Sequence, residues 1–153
     1  MSDPIVHASF TIERTLPASP ARVFAAFADP ELKAKWFHGP DAWEPRKIAF
    51  DFREGGHETC AGEVPGEWSS RFEADYYVIV PAAQIVYSYE MFRDEVRLSV
   101  SVTTIELDAV DGDAATRVVF TEQGAYFGDG KAANASREEG TIGMFDQLEA
   151  TLR

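Results

Sequence analysis

This chain holds one cysteine, Cys60, so no internal disulfide can form and a reducing compartment suits it. Histidine is scarce, at three residues, which thins the supply of metal ligands and general bases. Positive charge is also short: 14 basic residues stand against 26 acidic ones, for a formal net charge of −12. A phosphate backbone is repelled by that field, which argues against nucleic acid as a partner, and anionic membrane surfaces are disfavoured in the same way. Apolar runs such as Val23 to Ala28 and Val78 to Val80 are far too short to cross a bilayer. Met1 to Phe10 has neither the basic start nor the apolar run of a signal peptide, so the cytoplasm is the expected location. Repeats, linkers and low-complexity segments are missing.

What the chain does have is rings. Eleven Phe, five Tyr and three Trp in 153 residues give more ring surface than a minimal core of one domain requires. Rigid rings leave concave gaps that aliphatic side chains would fill.

Punctuation sets the order of elements. Residues 7 to 16 alternate as a strand, with Phe10 and Ile12 on one face. Ser19 before Pro20, and Asp29 before Pro30, read as two helix caps with proline at the first helical position. The first helix buries Val23, Phe24 and Phe27; the second carries Leu32 and Trp36 and stops before Gly39-Pro40. From Trp43 to Glu122 the pattern is strand throughout. Phe50 and Phe52 alternate first, then Trp68 to Val80, then Ile85, Tyr87, Tyr89 and Met91, then Leu98, Val100 and Val102, and last Val118, Phe120 and Glu122. Turns this short demand antiparallel pairing. Ser136 with Glu139 reads as a capping box opening a final helix from about Arg137, whose face is Thr141, Met144, Phe145, Leu148 and Leu152. One α+β domain over residues 1–153 is expected.

Several groups invite chemistry. His57 and Cys60 lie three apart on a strand and so point to opposite faces, which argues against a metal site. No serine has an elbow-type glycine motif, and Gly124, Gly128 and Gly130 lack the lysine-serine ending of a phosphate loop. Glu122, at the end of an inward-facing row, is the sharpest acidic candidate: a general acid-base group at a cavity mouth, or a structural ion pair with Arg14, Arg53 or Arg117. The ion pair is the commoner case. The rings Trp36, Trp43, Phe50, Phe52, Trp68, Tyr76, Tyr87, Tyr89 and Phe120 are either plain core or a pocket lining, with Met144 beside them on the helix. Buried tyrosine hydroxyls want partners, and a ligand can supply one. Gly140 and Gly143 make a notch on the final helix, serving either close packing or ligand space.

Leu16-Pro17-Ala18-Ser19-Pro20-Ala21-Arg22-Val23-Phe24, Asp29-Pro30-Glu31-Leu32, Trp36-Phe37-His38-Gly39-Pro40, Phe50-Asp51-Phe52-Arg53 with Gly55-Gly56, and Thr116-Arg117 with Thr121-Glu122-Gln123-Gly124-Ala125 together resemble one family. It is the activator-of-heat-shock-protein-ATPase homology family, within the START-like or SRPBCC superfamily. The resemblance implies a helix-grip fold, a curved antiparallel sheet of six to seven strands wrapped around a long C-terminal helix. It also implies a cavity between the two. The final helix of this family often reads Gly-Trp near its start; here Thr141 follows Gly140, which implies a roomier cavity.

The expected function is non-catalytic binding of a small neutral apolar or aromatic molecule, with no cofactor and no metal. Tyr87, Tyr89 and Glu122 are the candidate polar handles. Two other readings are a cyclase or hydrolase of polyketide-like substrates and a chaperone-associated interaction module; pairing of two chains through a sheet edge is open.

Overall fold

The computed structural model describes residues 4–128 and 130–153, with the backbone alone over 130–135. Strand β1 (Val6–Leu16) is followed by helices α1 (Pro20–Ala28) and α2 (Pro30–Lys33). Strands β2 (Glu44–Phe50), β3 (His57–Val64), β4 (Trp68–Val80), β5 (Gln84–Arg93), β6 (Val96–Val110) and β7 (Ala115–Tyr126) follow, and helix α3 (Gly130–Leu152) ends the chain. The seven strands form one antiparallel sheet in the order β1-β7-β6-β5-β4-β3-β2. It is an α+β helix-grip fold, a curved sheet with the C-terminal helix against it.

Both caps form as the proline pairs predict. The Ser19 hydroxyl accepts from the Arg22 amide at 3.2 Å, and the Asp29 carboxylate accepts from the Glu31 amide at 2.9 Å. Helix α2 is shorter than the sequence suggests: it closes at Lys33, and Trp36 follows in the turns beyond. Trp36 is nonetheless buried, its indole N–H donating to the Ala26 carbonyl at 3.0 Å. Register shifts at Pro45/Lys47, Tyr76/Val78 and Met91/Phe92 add local twist to the sheet.

Two expectations need correcting. Helix α3 begins at Gly130, so Ser136 and Glu139 lie inside it and do not open it. On β6, Leu98, Val100 and Val102 do not share a face. Val100 and Val102 point outward, and Ser99, Ser101 and Thr103 are the buried set. Register explains this, because those small residues stand opposite Met91, Tyr89 and Tyr87 of β5. Large rings on one strand are accommodated by small side chains on the next. Gly124 of β7 continues the floor: a Cβ there would sit 2.7 Å from the Ser101 hydroxyl oxygen and 3.0 Å from the Tyr126 ring.

The core lies between the sheet and the helices. Leu16, Val23, Phe27, Ile85, Ile105 and Val118 pack with Phe145, Leu148 and Leu152 of α3. This core fills one part of the concave face. Toward β3 to β5 the filling thins and a cavity opens.

Candidate ligand cavity

The cavity has a volume of about 270 Å³ and is bordered by the sheet, the segment after α2, and α3. Register places its rings. Tyr76, Tyr87 and Tyr89 face the concave side because β4 and β5 pair Tyr76 with Tyr87 and Ala74 with Tyr89. Tyr76–Tyr87 and Tyr87–Tyr89 ring centroids are 5.5 and 6.1 Å apart, and Phe72 lies 4.9 Å from Tyr89. Trp36, Trp43 and Trp68 come from three separate segments and all line the cavity.

Polar groups gather in two clusters. In the first, Glu122 is 2 % exposed and accepts from the Tyr89 hydroxyl at 2.8 Å and the Tyr126 hydroxyl at 3.3 Å. Arg137 of α3 donates to Tyr89 at 2.7 Å and to Ser99 at 3.2 Å, with Nη1 3.6 Å from the Glu122 carboxylate. Burial pushes the Glu122 carboxyl above its ordinary range, while Arg137 and the two tyrosine hydroxyls pull it back down. The Tyr89 phenol is held well above its usual value, chiefly by burial.

In the second cluster, Glu58 Oε1 accepts from the Lys33 ammonium and from the Tyr76 hydroxyl, each at 2.6 Å. Lys33 also lies over the rings of Phe37 and Phe50, at 4.6 and 4.5 Å from their centroids. Burial pushes the Lys33 ammonium down, and Glu58 acts in the opposite sense. Burial also raises the Cys60 thiol to about 11, so it stays a neutral thiol at pH 7. The two ion pairs leave the lining nearly balanced in charge.

A family model described as activator of Hsp90 ATPase homolog 1-like protein matches residues 17–153. The chain belongs to this family. Among solved structures, it is similar to the Mll3558 protein of Rhizobium loti, at 40% identity and a TM-score of 0.87, covering 97% of this chain and 99% of that one. A protein from Rhizobium leguminosarum is similar at 40% identity and a TM-score of 0.89, covering 97% and 96%. Protein CV1439 of Chromobacterium violaceum follows at 25% identity and a TM-score of 0.71, covering 94% and 96%. No curated protein matches the chain.

Within this activator-homolog chain, the cavity brings together Trp36, Trp43, Phe52, Trp68, Tyr76, Tyr87, Tyr89, Phe120, Glu122 and Met144. Phe50 lies instead on a neighbouring pocket. Gly143 touches neither: it is exposed, and a Cβ built on it meets nothing within 4 Å, as at Gly140. The notch therefore serves neither packing nor ligand space. Thr141 does line the cavity, so a small side chain stands at the wall there, as the Gly140-Thr141 pair leads one to expect.

Glu122 sits in the interior, not at a mouth, and its cation is Arg137. Arg14 pairs with Asp146, Arg53 with Asp51 and Arg117 with Glu13. Lys33 and Arg137 are the functional side chains that sequence reasoning missed. One signal for Lys33 existed: it stands three residues before Trp36 on a short capped helix, a spacing that puts it on the same face as that predicted core ring.

Proposed function

We propose that the protein binds a small, neutral, mostly aromatic molecule in the cavity between sheet and α3, without catalysing its conversion. The observation that carries this reading is a ring-lined space whose two cations, Lys33 and Arg137, are each matched by a buried carboxylate, Glu58 and Glu122. A neutral guest leaves that balance intact; an anion or a cation adds an unmatched buried charge. The volume of about 270 Å³ sits at the small end of ligand pockets, which suits one or two rings. The Tyr87 hydroxyl at the wall can offer a guest a hydrogen bond, whereas the Tyr89 hydroxyl is already engaged by Glu122 and Arg137.

A second reading, acid–base catalysis, rests on the raised Glu122 carboxyl. The hydrogen bonds and cation already fixed on Glu122 favour a structural role over proton transfer. For the chaperone-associated reading, the relevant feature is an exposed apolar face. Val100 and Val102 are exposed on the outer side of the sheet, but their cross-strand neighbours include Glu90, Ser88 and Gln123, so the stripe is narrow and interrupted. A reducing cytoplasm, no nucleic-acid or membrane partner, and edge-to-edge pairing of two chains complete the proposal; among described residues no helix is long and apolar enough to cross a membrane.

The test is native mass spectrometry of freshly purified protein, followed by titration with naphthalene and with laurate, read by tryptophan fluorescence. Trp36, Trp43 and Trp68 all line the cavity. Saturable quenching by naphthalene at micromolar to submillimolar concentration, with laurate weaker, is expected. Preference for laurate would overturn the charge-balance argument, and no response to either would remove the binding reading.

A further inference from the structure

A second pocket, of about 380 Å³, lies beside the first, between α2 and the β2–β3 edge of the sheet. Its apolar wall is built by Ala34, Phe37, Trp43, Ile48, Phe50 and Cys60, and no residue of α3 contributes. Lys33, Phe37, His38, Gly39, Trp43 and Cys60 line both pockets and stand between them.

Glu58 lines this second pocket and not the first. It is 3 % exposed. Oxygen Oε1 carries both of its hydrogen bonds, from Lys33 and Tyr76. Oxygen Oε2 takes none from the described residues. It is not among the fully buried side-chain atoms without a partner, which among the described residues are the Ser101 and Thr103 hydroxyl oxygens, so it keeps access to the pocket, and a guest that covers it must either donate to it or leave it stranded.

We propose that this pocket is a second binding site, for a small neutral apolar molecule carrying one O–H or N–H donor directed at Glu58 Oε2, a phenol being the simplest case. The rings favour a flat body. Lys33 already neutralises Glu58, and the pocket's other carboxylate, Asp41, is exposed to solvent, so a neutral donor suits the buried Glu58 end better than an amine cation. The site is independent of the reading of the main cavity.

Nuclear magnetic resonance titration of the intact protein with phenol, and with toluene as the donor-free isostere, tests this. Phenol should shift the amide signals of Ala34 and Ile48 saturably, and should bind about tenfold more tightly than toluene there, one charge-assisted hydrogen bond being lost. Thr141→Trp, which fills the main cavity, should leave these shifts in place; Ala34→Phe, which fills the second pocket, should remove them. Shifts confined to Thr141 and Phe145 would place phenol in the main cavity and overturn the second site. Toluene binding as tightly as phenol at Ala34 and Ile48 would overturn the donor requirement. Should Ala34→Phe not fold, the two titrations of the unaltered chain decide alone.

Discussion

Arg137 Nη1 donates to the Tyr89 hydroxyl at 2.7 Å, and that hydroxyl donates onward to Glu122 at 2.8 Å. One side chain of α3 is thus tied to β5 and β7 through a relay closed by the Arg137–Glu122 ion pair. Replacing Arg137 with Met leaves a buried carboxylate without its cation. We predict a loss of about 3 kcal/mol at neutral pH, measured by chemical denaturation. The loss should shrink in acid. Burial already raises the Glu122 carboxyl in the native chain, and removing the cation raises it further. A carboxyl raised above its unfolded value contributes stability at low pH that disappears as pH climbs through the folded value. The variant should therefore be closer to wild type at pH 5 than at pH 8. An equal deficit at both would mean that Arg137 acts through packing alone.

Glycines 140 and 143 give the opposite sign. Both are exposed in α3 with open space at the Cβ position. Gly143→Ala and Gly140→Ala should each stabilise the chain by about 1 kcal/mol, from helix propensity. Quenching of the tryptophans by naphthalene should be unaltered, because neither residue borders the cavity. A fall in melting temperature, or a changed affinity, would reinstate the notch.

The error over Gly143 shows where legibility ended. Thr141, Met144, Phe145, Leu148 and Leu152 form the stripe that helical spacing predicts: Phe145, Leu148 and Leu152 are buried, and Thr141 and Met144 line the cavity. At about 100° per residue, Gly143 sits roughly 200° before Phe145 and hence on the other side of the helix. Caps were legible because Ser19-Pro20 and Asp29-Pro30 act within one turn. The rings of β4 and β5 were legible because alternation fixes a face. Val100 and Val102 misled because alternation alone does not say which face is buried, and here the tyrosines opposite require small partners. The pairings of Arg137 and Lys33 are illegible for another reason. Their carboxylates come from distant strands, brought near only by closure of the sheet around the helices.

On the outer face, His57 stands between Asp75 at 2.8 Å and Glu73 at 2.9 Å. These hydrogen bonds raise its protonation midpoint above the ordinary 6.5, Asp75 first and Glu73 second. The stability it adds is complete below pH 6.5 and fades as pH rises through the elevated midpoint. The side chain is half exposed, so the contribution should not exceed about 1 kcal/mol and should weaken with salt. Titrating the imidazole by nuclear magnetic resonance should give a midpoint above 6.5 that falls in Asp75→Asn. A midpoint at or below 6.5 would show that the two carboxylates do not hold the proton.

Thr141 offers the sharpest handle on the main cavity. It sits on the inward stripe of α3, one turn before Phe145, and it lines the space that Tyr87 and Tyr89 face. Its hydroxyl is already used, donating to the Arg137 carbonyl at 2.9 Å, so it has little to offer a guest. Its contribution is its small volume. Thr141→Trp should place a ring in the cavity and reduce naphthalene binding at least tenfold, while the fold stays intact. Filling an existing cavity differs from overpacking a full core, which costs about 1–3 kcal/mol. The melting temperature should accordingly hold or rise, since the added ring buries apolar area at about 25 cal/mol per Å². A variant that binds naphthalene as before would show that the guest does not occupy the space beneath α3. A variant that loses binding together with several kcal/mol of stability would show that the cavity was not free to accept the ring.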